Sequence, residues 1–154
     1  MKFVSTRHAA PATSLSQALA AGLAPDGGLY VPEHRPRLQH WSAHDSFAQT
    51  AAAVLAPYFH DDALEQVLPE LCAQAFNFDA PLRPLATADD HVLELFHGPT
   101  AAFKDFGARF LAACLARLQQ GRERPLTIVV ATSGDTGAAG LAAANATPED
   151  LAEV

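Results

Sequence analysis

Two stretches of this chain combine residue types that could do chemistry. The first is residues 94–107, E-L-F-H-G-P-T-A-A-F-K-D-F-G, centred on Lys104. Lys2 is the only other lysine in the chain. Lys104 lies between Phe103 and Asp105-Phe106, where an apolar-periodic helix begins. The positive end of a helix dipole and burial against phenylalanine rings both disfavour the charged form of an amine. A neutral, nucleophilic lysine is what condensation with a carbonyl group requires. The alternative is a surface lysine whose stem packs on the aromatics while Asp105 balances its charge. These residues alone leave both readings open.

The second stretch is T-S-G-D-T-G at 132–137. A glycine-containing turn that enters a helix presents unpaired backbone N–H groups and the positive dipole end. Ser133 and Thr136 add hydroxyl donors, so the loop suits a carboxylate or a phosphate. Asp135 is the odd member, because it repels an anion unless it points at a donor or a positive ring. No Gly-Lys-Ser/Thr follows, which excludes a P-loop, and the glycines at 134, 137 and 140 do not make the dinucleotide fingerprint. The alternative here is an N-capped helix in which Ser133 or Asp135 satisfies the orphan amides.

The elements around these stretches must bring them together. Residues 91–96 alternate as a strand, 97–100 turn, and a helix is expected over 103–120, closed by Gly121. Its apolar set is Phe106, Phe110, Leu111, Cys114, Leu115 and Leu118. Residues 126–131, L-T-I-V-V-A, form a nearly continuous apolar run, expected to be a parallel strand buried on both faces. A helix over 136–145 follows. This is a right-handed β-α-β unit, in which Lys104 and the 132–137 loop should open on the same sheet edge. Two parallel strands do not make a stable open sheet, so the chain is expected to be part of a larger α/β domain. Its bare strand edges could pair with another chain.

The preceding part has a different grammar. It is expected to be extended over 1–12, helical from Leu15 under a serine cap until Gly22, and turned at 26–28 before a brief strand at 29–31. A helix over 45–59, capped by Asp45 or Ser46, precedes another over 61–76 that Pro69 should kink or break. Residues 77–90, with Pro81 and Pro84, are expected to be a linker. The chain is thus divided into a mostly helical region at 1–86, a β-α-β-α portion at 87–146 and a polar tail at 147–154.

The 154 residues carry a net charge of −7 and a pI near 5.3. That balance offers no basic stripe for nucleic acid. No apolar run has membrane length, and residues 1–8 have no secretory h-region, so the cytoplasm is the expected compartment. Cys72 and Cys114 lie in apolar helical patterns and read as buried thiols in a reducing environment. The seven histidines show no metal-ligand spacing, and no metal site is assigned.

Three blocks, in order, resemble threonine synthase: Ser5-Thr6-Arg7 followed by G-L-A-P-D-G-G-L-Y-V-P at 22–32, H-G-P-T-A-A-F-K-D-F at 97–106, and A-T-S-G-D-T-G at 131–137. Members of that family are fold type II enzymes dependent on pyridoxal 5'-phosphate. The resemblance implies an α/β fold, a helical amino-terminal region followed by the start of an incomplete fold type II parallel-sheet domain. It implies that Lys104 carries the cofactor as a Schiff base and then moves protons on the substrate. The implied reaction converts O-phospho-L-homoserine and water to L-threonine and phosphate. Thr132, Ser133, Gly134 and Thr136 would hold the substrate's carboxylate, and Asp135 would lie near the cofactor's 3'-oxygen. The family's cofactor-phosphate loop comes later in its chains, so these 154 residues are expected to turn over little alone. Two alternatives are another fold type II eliminating enzyme and a non-catalytic relative that binds a phosphorylated metabolite or a partner chain.

Overall fold

A computed structural model describes residues 1–37, 42, 45–87, 89–121, 127–129, 132 and 134–145. The chain divides into two compact units, Met1–Ala73 and Gln74–Val154.

In the first unit, strand β1 (Phe3–Ser5) pairs antiparallel with β2 (Tyr30–Pro32), Val4 opposite Val31. Helix α1 (Leu15–Ala21) starts at a reciprocal capping box. The Ser14 hydroxyl oxygen accepts from the Gln17 amide, and the Gln17 side chain accepts from the Ser14 amide. Gly22 ends it with φ of 70°. Helix α2 (Phe47–Phe59) repeats the box with Ser46 and Gln49, so Ser46 rather than Asp45 is the cap. The helix expected over 61–76, with a kink or break at Pro69, is broken into a 3-10 turn at Glu65–Val67 followed by α3 (Leu68–Ala75). Pro69 falls in the first turn of α3, where its missing N–H costs nothing, and it defines a helix start rather than a kink. Leu64, Leu68, Leu71 and Cys72 are buried, with Phe3, Leu15 and Phe59 also in the core of this unit. Burial pushes the Cys72 thiol up to about 11. Cys72 and Cys114 are both buried, and neither is in a disulfide.

A carboxylate organises the turn that precedes β2. Asp26 accepts from the buried Ser5 hydroxyl at 2.7 Å, from the Gly28 amide at 2.9 Å and from the Ala9 amide at 3.0 Å. The Ser5 hydroxyl first, with those amides and Arg7, holds the Asp26 carboxyl below the usual carboxylate range against an opposing effect of desolvation that is second only to the Ser5 bond. A side chain at Gly28 would place Cβ 2.1 Å from Ser5 Oγ, so only glycine fits.

In the second unit, the expected linker contains a strand. β3 (Leu82–Pro84) pairs antiparallel with β4 (His91–Leu93), Arg83 opposite Val92. The prolines masked this strand, yet Pro84 ends it, where a missing N–H is tolerated. The Thr87 hydroxyl donates to Asp90 at 2.7 Å across the connecting turn. Helix α4 (Lys104–Gln119) packs against α5 (Asp135–Asn145), both within two residues of expectation. Arg109 of α4 donates to the carbonyls of Ala75 and Gln74, and Phe110 stacks on Phe76 with centroids 5.5 Å apart. The strand expected at 126–131 is only partly covered, because residues 126, 130 and 131 lie outside the described residues. Residues 127–129 carry no strand pairing, and Ile128 and Val129 are exposed rather than buried. Both sheets among the described residues are antiparallel, since β4 finds its ladder partner in the adjacent segment. Burial on two faces requires flanking strands and covering layers that these residues do not supply. The 147–154 tail also lies outside the described residues. Among the described residues, no helix is long and apolar enough to cross a membrane.

Candidate active site

Lys104 opens α4, and its position sets where the amine goes. Lys104, Gly107, Ala108, Leu111 and Ala112 follow steps of three and four residues, so they form one stripe on the helix. Thr136, Gly140 and Ala143 make the corresponding stripe on α5. Both stripes are dominated by glycine and alanine, so the helices leave room between them. With Leu95, Phe103, Phe106 and Ile128 they line a cavity of about 580 Å³. That is a volume suited to a small-molecule ring, in a largely apolar setting.

Half-buried Lys104 places Nζ 4.6 Å from the centre of the Phe103 ring, a cation–π contact. Among the described residues no carboxylate pairs with it. The charge-balancing role considered for Asp105 is therefore not realised. Asp105 is wholly buried and turns back on its own loop, accepting from the Thr100 amide at 2.9 Å and the Thr100 hydroxyl at 2.8 Å. A carboxylate in a helix's first turn is also favoured by the dipole. Sequence reasoning missed both Thr100 and this use of Asp105. The available signal was a threonine five residues before an aspartate at a helix start.

Thr136 shares the cavity with Lys104, so the two stretches do meet at one place. Gly134 immediately precedes α5, and Asp135 is its exposed first residue. Thr132 acts locally: its hydroxyl oxygen accepts from the amides of Gly134 and Gly137, each at 3.2 Å. Thr132 thus takes part in capping α5, a role weighed in the sequence for Ser133 or Asp135, and it occupies two amides that the loop could have offered to an anion. Gly137 is required for this, because a Cβ there would lie 2.3 Å from Thr132 Cγ2. Ser133 lies outside the described residues. Thr132, Gly134 and Asp135 do not line the cavity among the described residues. A primary amine at the edge of an apolar, ring-sized space fits the aldehyde and pyridine ring of pyridoxal phosphate.

A family profile described as threonine synthase N terminus matches residues 2–76. The threonine synthase of Pseudomonas aeruginosa is 40% identical over 150 residues, covering 92% of this chain and 32% of that protein. The Escherichia coli enzyme is 37% identical, with 90% of this chain and 33% of that protein covered. Among solved structures, PLP-bound threonine synthase from Brucella melitensis superposes with a TM-score of 0.82 at 40% identity, over 94% of this chain and 33% of the other. Threonine synthase from Escherichia coli gives 0.78 at 37% identity, over 93% and 34%. The chain spans about a third of the length of the relatives it matches. By sequence and by backbone alike, this chain matches the amino-terminal portion of the threonine synthase family.

Proposed function

We propose that this chain supplies the lysine-bearing wall of a pyridoxal-phosphate site in an enzyme converting O-phospho-L-homoserine and water to L-threonine and phosphate. The observation that carries this reading is Lys104, an amine without a carboxylate partner among the described residues, at an apolar cavity of about 580 Å³ that Thr136 also enters. Bound pyridoxal phosphate supplies the electron sink that makes the substrate's carbon-bound protons removable. Lys104 Nζ would hold the cofactor at its aldehyde carbon, and the same amine is placed to carry protons at the substrate's α, β and γ carbons. Leu95, Phe106 and Leu111 give the cavity beside Lys104 an apolar wall. The loop residues Thr132, Ser133, Gly134 and Thr136 are read as the seat of the substrate's carboxylate, with Asp135 near the cofactor's 3'-oxygen. The substrate is a small phosphorylated amino acid, met in the cytoplasm. Turnover is assigned to the complete site, and the lysine chemistry to this portion.

The test is borohydride reduction of the chain mixed with pyridoxal phosphate, followed by peptide mapping. A pyridoxyl group on Lys104, well above the level on Lys2, is the expected result. Label confined to Lys2 would remove the reading and leave a non-catalytic relative. Phosphate release from phosphohomoserine, lost in Lys104→Ala, tests the reaction itself.

A further inference from the structure

We infer that Asp105 is a positioning residue for Lys104, its buried carboxylate gathering the 98–103 turn around itself and so aiming the neighbouring amine into the cavity. The inference deepens the proposed role of Lys104 and rests on it for its catalytic meaning. Asp105 has no solvent exposure, and a buried carboxylate is retained only where donors meet it. Both donors come from one residue: the Thr100 amide reaches Oδ2 at 2.9 Å, and the Thr100 hydroxyl reaches Oδ1 at 2.8 Å. The backbone of Gly98 closes the third side, where a Cβ would come within 2.4 Å of Oδ2 and 2.8 Å of the Asp105 Cβ. Between these contacts the chain reverses at Ala101, which takes a left-handed φ of 53°. No side chain caps α4 at Phe103, so the start of the helix is held through Asp105 instead.

The consequence for Lys104 is geometric. Successive helix residues point about 100° apart, so fixing the direction of Asp105 fixes that of Lys104. With the carboxylate turned into the loop, it cannot pair with the ammonium. The amine is left on the stripe that faces α5, over the Phe103 ring at 4.6 Å. If the carboxylate swung outward it could neutralise the neighbouring amine, and Lys104 would take up the ordinary surface role.

Two measurements on the 154-residue chain test this. The first is the ratio of pyridoxyl label on Lys104 to that on Lys2 after borohydride reduction with pyridoxal phosphate. The second needs no cofactor: reductive methylation with 13C-formaldehyde gives one NMR signal per lysine, and the Phe103 ring should displace that of Lys104. Asp105→Asn and Thr100→Val should each lower the label ratio about fivefold or more and move the Lys104 signal toward that of Lys2. Thr100→Ser keeps both hydrogen bonds and should restore both readouts, a rescue that general loosening of the fold does not predict. Should Asp105→Asn fail to fold, the Thr100→Val and Thr100→Ser pair decides alone. Wild-type ratio and wild-type signal position in Thr100→Val and in any folded Asp105→Asn would overturn the inference while leaving Lys104 labelled. Conversely, absence of label on wild-type Lys104, with a signal that still moves in the variants, would remove the cofactor reading and keep the positioning role.

Discussion

Asp26 and Asp105 each organise a turn, and they do so across different lengths of chain. Asp26 reaches back to Ser5 and Ala9, 21 and 17 residues earlier, so it ties the first strand to the turn before the second. Asp105 reaches only five residues back, to Thr100. Each turn depends on a glycine beside its carboxylate, Gly28 in one and Gly98 in the other. The difference teaches what such a hub is for. A carboxylate with distant donors closes a loop of chain and holds a fold together. One with local donors closes almost nothing, and what it secures is the direction of the residue next to it.

That contrast can be broken, beginning with the largest expected effect. Lys104→Ala should reduce pyridoxyl labelling of the 104 peptide to background while leaving Lys2 and the thermal midpoint close to wild type. Unfolding of that variant would mean that the lysine is structural. Next, Gly98→Ala forces a methyl group onto a buried carboxylate and should cost about 3 kcal/mol, measured by urea denaturation. It should also lower the Lys104 to Lys2 label ratio. Gly28→Ala presses on Ser5 Oγ and should cost about 2 kcal/mol without changing that ratio in the folded fraction. Equal loss of label in both glycine variants would erase the distinction drawn between the two turns. A smaller effect, about 1 kcal/mol, is expected for Thr132→Ala, which strips the cap from α5. Hydrogen exchange at the Gly134 and Gly137 amides should report it.

The smallest effect concerns acid. Because the folded-state carboxyl of Asp26 lies below the usual carboxylate range, its contribution to stability is full above the unfolded value, near pH 4. It is lost as the pH falls through the lower folded value. The thermal midpoint of the wild type should therefore drop more steeply below about pH 4 than that of Asp26→Asn. Parallel curves for the two proteins would show that the Ser5 hydroxyl does not select the ionised form.

Much of the local structure was legible in the residues. Ser14-x-x-Gln17 and Ser46-x-x-Gln49 mark the helix starts that are found, and the periodicity of α4 and α5 places both helices. The hairpin strand β3 was not legible. It has three residues, ends in proline and buries no face, so no alternation of apolar side chains announces it. Pro69 did announce an interruption of the 61–76 run, but not on which side of it the helix lies. Proline breaks a helix interior but suits a first turn, and only the break at Leu68 shows which position it holds.

Residue types by themselves settled that there is one interior amine beside an aspartate at a helix start, and one glycine-rich turn entering another helix. They also carried the family match, because three blocks stand in the right order. Where the charges turn was decided by packing. An aspartate next to a lysine can pair with it or turn away, and the two choices are close in energy while both groups are in water. Burial separates them, because a carboxylate without solvent must take the donors within reach, and here those are the amide and hydroxyl of Thr100. The cavity likewise exists only because two stripes of small residues on separate helices meet face to face, a coincidence in space that no single segment encodes.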